Sequence, residues 1–191
     1  MDISHPKQSR LIRAIAVFGS FILTLHYRLL YGQRISFGRN FICDWRLHIS
    51  GSGKVVFGDN VIAWSRKEPT RILTFDKDAR ITIRSGTRLN GAELQAQSEI
   101  SIGKNCIIGS STLVDTDFHS MDRDRATNPK APVKSAPILI SDNVWIAGRC
   151  VILKGVTVGE NSVVGLGSVV RQSIPEDSVA IGNPAQVVGK I

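Results

Sequence analysis

At 191 residues the chain has the length of one ordinary domain, and its apolar (42%) and charged (21%) fractions are typical of a globular protein. The 24 Lys and Arg residues exceed the 16 Asp and Glu residues by eight, so we expect anionic partners such as membrane headgroups, phosphorylated ligands or glycans. Aromatic residues make up only 6% and the basic residues are scattered, which argues against a nucleic-acid partner. The three cysteines lack metal-ligand spacing, so we expect no metal site.

Residues 1–34 form a basic and apolar segment, in which the run 14–25 carries no charge and follows Lys7, Arg10 and Arg13. These twelve residues are too few to span a bilayer, which takes roughly 20, and no small-residue cleavage site follows them. We predict a helix with two roles left open. It covers the open end of the core, or it lies on a membrane surface with its basic flanks against anionic headgroups. The expected location is cytoplasmic, at the inner face of the cytoplasmic membrane in the second case.

A repeat of six residues organises most of the remaining chain. From residue 140 the blocks read ISDNVW, IAGRCV, ILKGVT, VGENSV, VGLGSV and VRQSIP, each headed by an aliphatic residue and small or aliphatic at its fifth position. The same unit occurs upstream as IGKNCI, IGSSTL and VDTDFH, and earlier as FGRNFI and FGDNVI. Residues 72–101 follow the pattern less regularly, which predicts coils with slips of about one residue.

A period of six fits neither an amphipathic helix nor an alternating strand, and it is typical of a parallel β-helix. We therefore predict an all-β fold over residues 35–191, in which the first residue of each block points into the core. The Asn that recurs in FGRN, FGDN, IGKN, SDN and GEN predicts corners with a left-handed backbone, which Asn tolerates better than most residues.

One segment breaks the repeat. Val114 and Ile140 are separated by 26 residues, which is not a multiple of six, and MDRDRATNPKAPVKSAP is polar and contains three prolines. We predict a loop extruded from the solenoid over about residues 118–137. Long loops on a rigid scaffold are often functional.

These hexapeptides, the DTDFHSMD segment and the run NVWIAGRCVILKGVTVGENSVVGLGSVV that leads to IGNPAQVV resemble the hexapeptide-repeat acyltransferases. Within that family the chain looks most similar to the maltose, galactoside, xenobiotic and surface-polysaccharide O-acetyltransferases. The resemblance implies a left-handed parallel β-helix, a homotrimer, and acetyl-CoA bound in a groove between neighbouring subunits. Handedness is implied by the family alone, because a period of six cannot show it.

Acetyl transfer to a hydroxyl needs a base that removes the proton as the oxygen attacks the thioester, and His suits this task at pH 7. Of the four histidines, His119 stands where the solenoid gives way to the loop, and the resemblance places the catalytic histidine there. Asp115 and Asp117 just before it are candidates to orient the imidazole or to keep it basic.

The resemblance also implies residues that bind the donor in the last coils. They would line the pantetheine arm or approach the cofactor phosphates: Trp145, Ala147, Gly148, Gly165, Leu166, Arg171 and Lys190. Glycine would leave bare backbone against which an extended cofactor can lie. Gln172 and Gln186 occupy positions that are frequently basic in the family, so the phosphate contacts stay open. Asn90 loosely matches an asparagine that contacts the acceptor.

We therefore expect an acetyl-CoA-dependent O-acetyltransferase that modifies a sugar hydroxyl in surface polysaccharide biosynthesis and works as a homotrimer without a metal. A xenobiotic O-acetyltransferase and an amino-sugar N-acetyltransferase are the enzymatic alternatives. A catalytically silent trimeric scaffold is the alternative outside enzymes. The repeat core has too few histidines for the three-histidine zinc site of a γ-class carbonic anhydrase.

Overall fold

The computed structural model describes residues 10–64 and 67–191. Residues 1–9, which the predicted N-terminal segment includes, lie outside the described residues. The described chain contains one α-helix, α1 (Arg10–Tyr31), followed by a 3-10 turn (Gly32–Arg34) and a series of short strands. In chain order the strands are β1 (Ile35–Phe37), β2 (Ile42–Cys43), β3 (Leu47–Gly51), β4 (Lys54–Phe57), β5 (Ile62–Ala63), β6 (Thr70–Thr74), β7 (Arg80–Ile83), β8 (Arg88–Leu89), β9 (Glu93–Ala96), β10 (Glu99–Ile102), β11 (Ile107–Ile108), β12 (Thr112–Val114), β13 (Ile138–Ile140), β14 (Trp145–Ile146), β15 (Val151–Leu153), β16 (Thr157–Val158), β17 (Val163–Val164), β18 (Val169–Val170), β19 (Ser178–Gly182) and β20 (Ala185–Lys190).

The strands stack into three sheets, so each turn of the chain forms one coil with one strand per sheet. Face A contains β1, β4, β7, β10, β13 and β16, and face C contains β3, β6, β9, β12, β15 and β18. Face B contains β2, β5, β8, β11, β14 and β17, and then β19 and β20. The first six strands of face B, like those of faces A and C, pair in parallel. The predicted parallel β-helix is therefore confirmed.

The core is built from the positions that the repeat predicts. Ile146 pairs with Ile108 on one side and with Val164 on the other, so equivalent residues of successive coils stack in a row. Every first and fifth position in the six blocks that begin at Ile140 is buried. Burial of these aliphatic rows along the axis supplies the main stabilisation of the solenoid.

The corner between faces A and B, here called corner A–B, is the regular one. Its five predicted asparagines have φ between 55 and 61°, as the left-handed corner requires: Asn40, Asn60, Asn105, Asn143 and Asn161. Their side chains also join adjacent coils. The amide nitrogen of Asn40 donates to Asn60 Oδ1 and that of Asn143 to Asn161 Oδ1, both at 3.0 Å.

The upstream coils are less uniform, and of their irregular spacings only the slip of one residue between Ile81 and Ile100 was predicted, within residues 72–101. Paired residues on face A are 20 residues apart from Ile35 to Val55, 26 from Val55 to Ile81 and 19 from Ile81 to Ile100. Downstream of the loop the spacing becomes 18, from Leu139 to Thr157. The slips fall in the corners, so the strand registers are preserved.

The C-terminal residues do not form another coil. Strand β19 pairs in parallel with β17, and β20 then returns antiparallel along β19. Gly182 has a φ of 104°, which side chains disfavour, and Pro184 offers no amide hydrogen for a further parallel ladder. The β-helix predicted over residues 35–191 thus ends in an antiparallel hairpin.

Helix α1 covers the first coil. The Tyr27 hydroxyl donates to Leu47 O at 2.9 Å and accepts the Ile49 amide at 3.1 Å, and Ser20 Oγ accepts the Cys43 amide at 2.9 Å. Both side chains are buried, so the first of the two predicted roles, covering the end of the core, is formed. Across the described residues we find no helix that is both long and apolar enough to cross a membrane.

The extruded loop leaves face C after β12 and rejoins face A at β13. The chain leaves the solenoid at residue 115, before the predicted start at about residue 118. From there the two arms of the loop pair with each other, so the base of the loop is narrow. Thr116 forms an antiparallel bridge with Ser135, the Asp117 amide donates to Lys134 O at 3.0 Å, and the Ala136 amide donates to Asp115 O at 2.9 Å. The loop therefore starts from a fixed stem.

The three cysteines are buried and form no disulfide. Burial raises the pKa of Cys43 to about 12 and also raises the pKa of Cys106. Both thiols are therefore protonated at neutral pH and poor nucleophiles.

Candidate active site

His119 lies at a tight turn near the start of the extruded loop. The preceding residue, Phe118, has a φ of 61°, which an aromatic residue rarely adopts, and the His119 amide donates to Asp117 O at 2.7 Å across it. The Phe118 ring packs edge-on against Phe75, with centroids 5.4 Å apart. Such conformations persist where the surroundings hold them, and they cluster at functional sites. The turn leaves His119 exposed to solvent.

Asp115 anchors the start of the loop to the preceding corner of the solenoid. Its carboxylate is fully buried and accepts the backbone amides of Gln97 (2.6 Å), Ser98 (2.8 Å) and Glu99 (2.7 Å). Three charge-assisted hydrogen bonds satisfy both oxygens and fix the corner between faces C and A, here called corner C–A. Asp115 is thus a structural residue, and it does not reach the imidazole that it was predicted to orient.

Asp117 is held by a lysine of the following coil. Lys154 Nζ lies 2.5 Å from Asp117 Oδ1, in an ion pair whose two side chains are mostly buried. Within the described part of the chain the other oxygen, Oδ2, is buried and has no hydrogen-bond partner. An unpaired buried carboxylate oxygen is costly, so a hydrogen bond to this atom would be favourable.

A cavity of about 460 Å³ opens beside this group, lined by Asp117, His119, Ser120, Met121 and Arg125. Its volume lies within the usual range of small-molecule sites. The imidazole of His119 forms no hydrogen bond to any described residue, so the predicted orienting role of Asp117 is not formed in the single chain either. The lining of the cavity thus combines an exposed imidazole with an arginine and an aspartate that is paired to Lys154.

The predicted donor residues gather at a different place. Ala147, Gly148, Gly165 and Leu166 lie between faces B and C, at corner B–C, in two consecutive coils, and the Gly167 amide donates to Gly148 O at 3.0 Å. Trp145 lies beside them on face B, half exposed. Leu166 is 72% exposed, which is unusual for a leucine in a solenoid and leaves an apolar surface along this corner.

Gly148 and Gly165 of this corner are glycines for different reasons. A Cβ on Gly148 would meet nothing closer than Leu166 Cδ1 at 3.6 Å, so packing within the chain does not require glycine there. A Cβ on Gly165 would come within 2.4 Å of Ile181 Cγ2, so internal packing explains that glycine. Gly148 therefore fits the predicted bare surface for an extended cofactor, and Gly165 does not need that explanation.

The two basic candidates are not brought together. Arg171 follows β18 and lies at corner C–A, while Lys190 ends β20 close to corner A–B. Lys190 Nζ already donates to Glu176 O at 3.0 Å and to Ser178 Oγ at 3.2 Å. Within one chain these residues do not form a shared phosphate site.

The structure thus places all the predicted site residues except Lys190 at or beside two corners. Asp115, Asp117, His119 and Arg171 lie at corner C–A, and most donor residues, with the exposed Asn90 of an earlier coil, lie at or beside corner B–C. Face C separates the two corners by about 20 Å, taking about six residues at ~3.3 Å each. One chain alone does not place His119 next to the donor corner.

Sequence analysis missed Lys154 and Arg125. The position of Lys154 could have been found by counting repeats, because residue 154 lies one coil after the loop and must therefore lie next to the base of the loop. The hydrogen bond from the Gly155 amide to Ala136 O, at the loop exit, agrees with this position. Arg125 was not detectable, because the internal path of the loop follows no repeat. Within residues 10–64 and 67–191, no cluster of His, Cys, Asp and Glu has an arrangement that could hold a metal ion.

Family models match two stretches of the chain. Residues 137–172 match the bacterial transferase hexapeptide (six repeats), and residues 99–114 match the hexapeptide repeat of succinyl-transferase. A protein of Schizosaccharomyces pombe named Putative acetyltransferase C18B11.09c is 41% identical over 92 residues, which cover 48% of this chain and 44% of that protein. The match therefore spans less than half of that relative.

Two solved structures share the fold. AntD, an N-acyltransferase from Bacillus cereus in complex with dTDP and 3-hydroxybutyryl-CoA, has a TM-score of 0.70 at 19% identity, covering 92% of this chain and 89% of AntD. The hexapeptide-repeat acetyltransferase VCA0836 from Vibrio cholerae, complexed with acetyl coenzyme A, has a TM-score of 0.57 at 24% identity, covering 95% and 90%. Together these findings confirm the resemblance to the hexapeptide-repeat acyltransferases and the left-handed parallel β-helix.

Proposed function

We propose that the protein is an acyltransferase that moves the acetyl group of acetyl-CoA to a sugar hydroxyl, with His119 as the general base. The observation that carries the proposal is the placement of His119. It is exposed at a constrained turn near the base of the loop, beside a cavity that Asp117 and Arg125 also line. The His119 side chain takes no part in the packing of the solenoid, because it is exposed.

The proposed step uses groups of this chain at each proton transfer. His119 removes the proton of the acceptor hydroxyl as its oxygen attacks the thioester carbonyl carbon, and the resulting imidazolium returns that proton to the sulfur as the carbon–sulfur bond breaks. Asp117 Oδ2 accepts a hydrogen bond from the acceptor or from the protonated imidazole. Lys154 holds Asp117 in place through the ion pair.

We further propose a homotrimer with its active sites between subunits. The two corners that carry the predicted residues lie about 20 Å apart in one chain, across face C. When corner C–A of one subunit meets corner B–C of its neighbour, His119 and Arg171 face Trp145, Gly148 and Leu166 of the adjacent copy. This arrangement also covers the exposed Leu166.

The acceptor class is part of the same proposal. We favour a sugar hydroxyl of a surface polysaccharide or its precursor, at the cytoplasmic face of the membrane, because the basic chain suits an anionic glycan or membrane surface. A xenobiotic hydroxyl and an amino sugar present different nucleophiles to the same base. Supplying one acceptor of each kind, with product identified by mass spectrometry, separates the three.

The first experiment is calorimetric titration of the purified chain with acetyl-CoA. We expect about one site per subunit, and Gly148→Ala should weaken binding without lowering the melting temperature, because its Cβ fits within the chain but projects into the proposed donor surface. Gly189→Ala is the matched control, since a Cβ there meets nothing within 4 Å. No detectable binding to the wild-type chain would overturn the proposed donor and favour the scaffold.

A further inference from the structure

Helix α1 has two apolar faces on opposite sides. The inner face contains Ala16, Ser20 and Tyr27, which are buried, and Leu23, which packs against the core. These residues recur at intervals of three and four, as one helix face does. The inner face is therefore fully explained by its contacts with the first coil.

The outer face has no such explanation. It carries large apolar side chains that are about half exposed or more: Val17, Phe18, Phe21, Ile22, Leu25, Leu29 and Leu30. Phe18 is 66%, Phe21 63% and Leu29 79% exposed, and most members follow the spacing of a helix face turned by half a revolution from Tyr27. Contiguous exposed apolar surface of this kind marks a site of interaction with a protein or a membrane.

The outer face points along the axis of the solenoid. Free backbone groups of the first coil point away from the second coil, because strand hydrogen bonds run from coil to coil. Groups on all three strands of that coil are bound by α1: Phe37 O by Arg28, the Cys43 amide by Ser20, and Leu47 O by Tyr27. Helix α1 thus occupies the place of a preceding coil, and its outer face forms the end of the molecule.

The charge around this face selects its partner. The sequence from residue 3 to residue 43 contains no Asp or Glu, whereas Arg10, Arg13 and Arg28 belong to the helix and, in the sequence, Lys7 precedes it and Arg34 follows it. An apolar helix face with basic flanks matches the surface of an anionic bilayer, in which apolar side chains enter the acyl boundary and cations meet phosphate. We infer that the outer face of α1 binds an anionic lipid bilayer while the inner face stays on the first coil.

The orientation of the molecule follows. In the trimer that we propose, with parallel axes, three outer faces lie at the same end and in one plane, so a weak single contact is strengthened by multivalency. This part rests on the proposed function. The cavity beside His119 lies three to four coils from the first coil, so it would stand about 25 Å from the membrane surface.

The test is flotation of the full chain with vesicles, in the absence of acetyl-CoA. We expect binding to vesicles of phosphatidylcholine and phosphatidylglycerol, weaker binding to phosphatidylcholine alone, and loss of the difference at high salt. The double variant Phe18→Gln, Phe21→Gln should reduce binding roughly tenfold or more. A second double variant, Val188→Gln, Ile191→Gln, removes two exposed apolar residues far from α1 and should bind as the wild type does.

Melting temperature, sedimentation mass and acetyl-CoA titration of each variant complete the experiment. Unchanged melting and mass show that α1 still covers the first coil. Absence of vesicle binding by the wild-type chain, or equal binding by the Phe18 and Phe21 variant, would overturn the inference. A lower oligomeric mass for that variant would assign the outer face to a second copy of the chain, and stronger vesicle binding after removal of residues 2–9 would assign it to those residues. Because donor binding is measured separately, its failure would count against the proposed function and not against lipid binding.

Discussion

Corners A–B and C–A belong to the same three-sided solenoid, but different kinds of contact hold them together. Corner A–B repeats one solution, an asparagine with positive φ, in each of the six complete coils except the third, where Gly86 takes that place, and two asparagine pairs connect neighbouring coils. Corner C–A is interrupted at one coil by a loop whose two arms pair through backbone bonds, and one buried carboxylate ties the start of the loop to the preceding corner by accepting three backbone amides. In the regular corner many equivalent contacts each contribute a little, whereas in the interrupted corner a few residues carry large and distinct tasks.

The difference teaches where to look for chemistry in a repeat protein. Where identical residues stack, as in the Asn40–Asn60 and Asn143–Asn161 pairs of corner A–B, a side chain of one coil finds its partner in the next. A side chain without partners arises where the repeat stops. The His119 imidazole and Asp117 Oδ2 both lack a hydrogen-bond partner among the described residues, and both lie just beyond strand β12, where the chain leaves the solenoid.

The largest expected effect comes from His119. Replacement by alanine should lower turnover by roughly 10²–10⁴, the usual consequence of losing a general base. Steady-state kinetics with acetyl-CoA and an accepted sugar measures this effect. The melting temperature should stay unchanged, because the imidazole is exposed and forms no hydrogen bond to a described residue.

His48→Ala provides the matched control, since His48 is an exposed histidine on strand β3, on the regular part of the solenoid. It should retain wild-type turnover. Comparable losses in both variants, or near-normal activity of His119→Ala, would remove the functional distinction between the two corners.

Asp115 should give the largest effect on stability. In Asp115→Asn one oxygen becomes an amide nitrogen that faces backbone N–H groups, so we expect the free energy of unfolding to fall by about 1–3 kcal/mol. Asp142→Asn is the comparison at corner A–B, where one carboxylate oxygen accepts the Lys104 amide in an exposed setting. Urea denaturation should show a clearly smaller loss there, and equal losses would contradict the distinct tasks assigned to the corners.

The smallest effect is expected for one asparagine of the regular corner. Asn143→Ala places a Cβ-bearing residue without a helpful side chain at a φ of 56° and removes the bond to Asn161, so the expected loss is about 1 kcal/mol. Asn143→Gly keeps the backbone freedom and removes only the bond. If thermal unfolding shows the glycine variant to be as unstable as the alanine variant, the side-chain bond and not the backbone conformation governs this corner.

The sequence sufficed to predict the regular parts of the molecule. The six-residue period depends on side chains that point inward at fixed intervals, so Ile146, Val158 and their equivalents could be assigned to the core directly. The asparagine corners followed because few other residues tolerate a positive φ. Handedness could not be predicted in this way, since inward spacing is the same in both hands.

The candidate site was predicted only in part. His119 could be named from its place at the break and from the resemblance, but the role of its neighbours depends on which way each side chain turns. Asp115 turns into the coil and Asp117 towards Lys154, a distinction that two acids spaced by one residue do not reveal. Covering the core and binding a membrane were likewise left as alternatives for α1. A helix sequence that is apolar on both sides does not show whether both sides make contacts.

The loop also bears on how such a fold acquires an active site. Ile81 and Ile100 pair across 19 residues, and Ile100 and Ile138 pair across 38, so the insertion doubles the length of chain that must close one coil. Closure entropy grows only with the logarithm of length, and one doubling costs about 0.6 kcal/mol. An insertion at a solenoid corner is therefore nearly neutral for folding once its two arms pair at the base, as residues 115–117 and 134–136 do here, which leaves the inserted residues open to selection for chemistry.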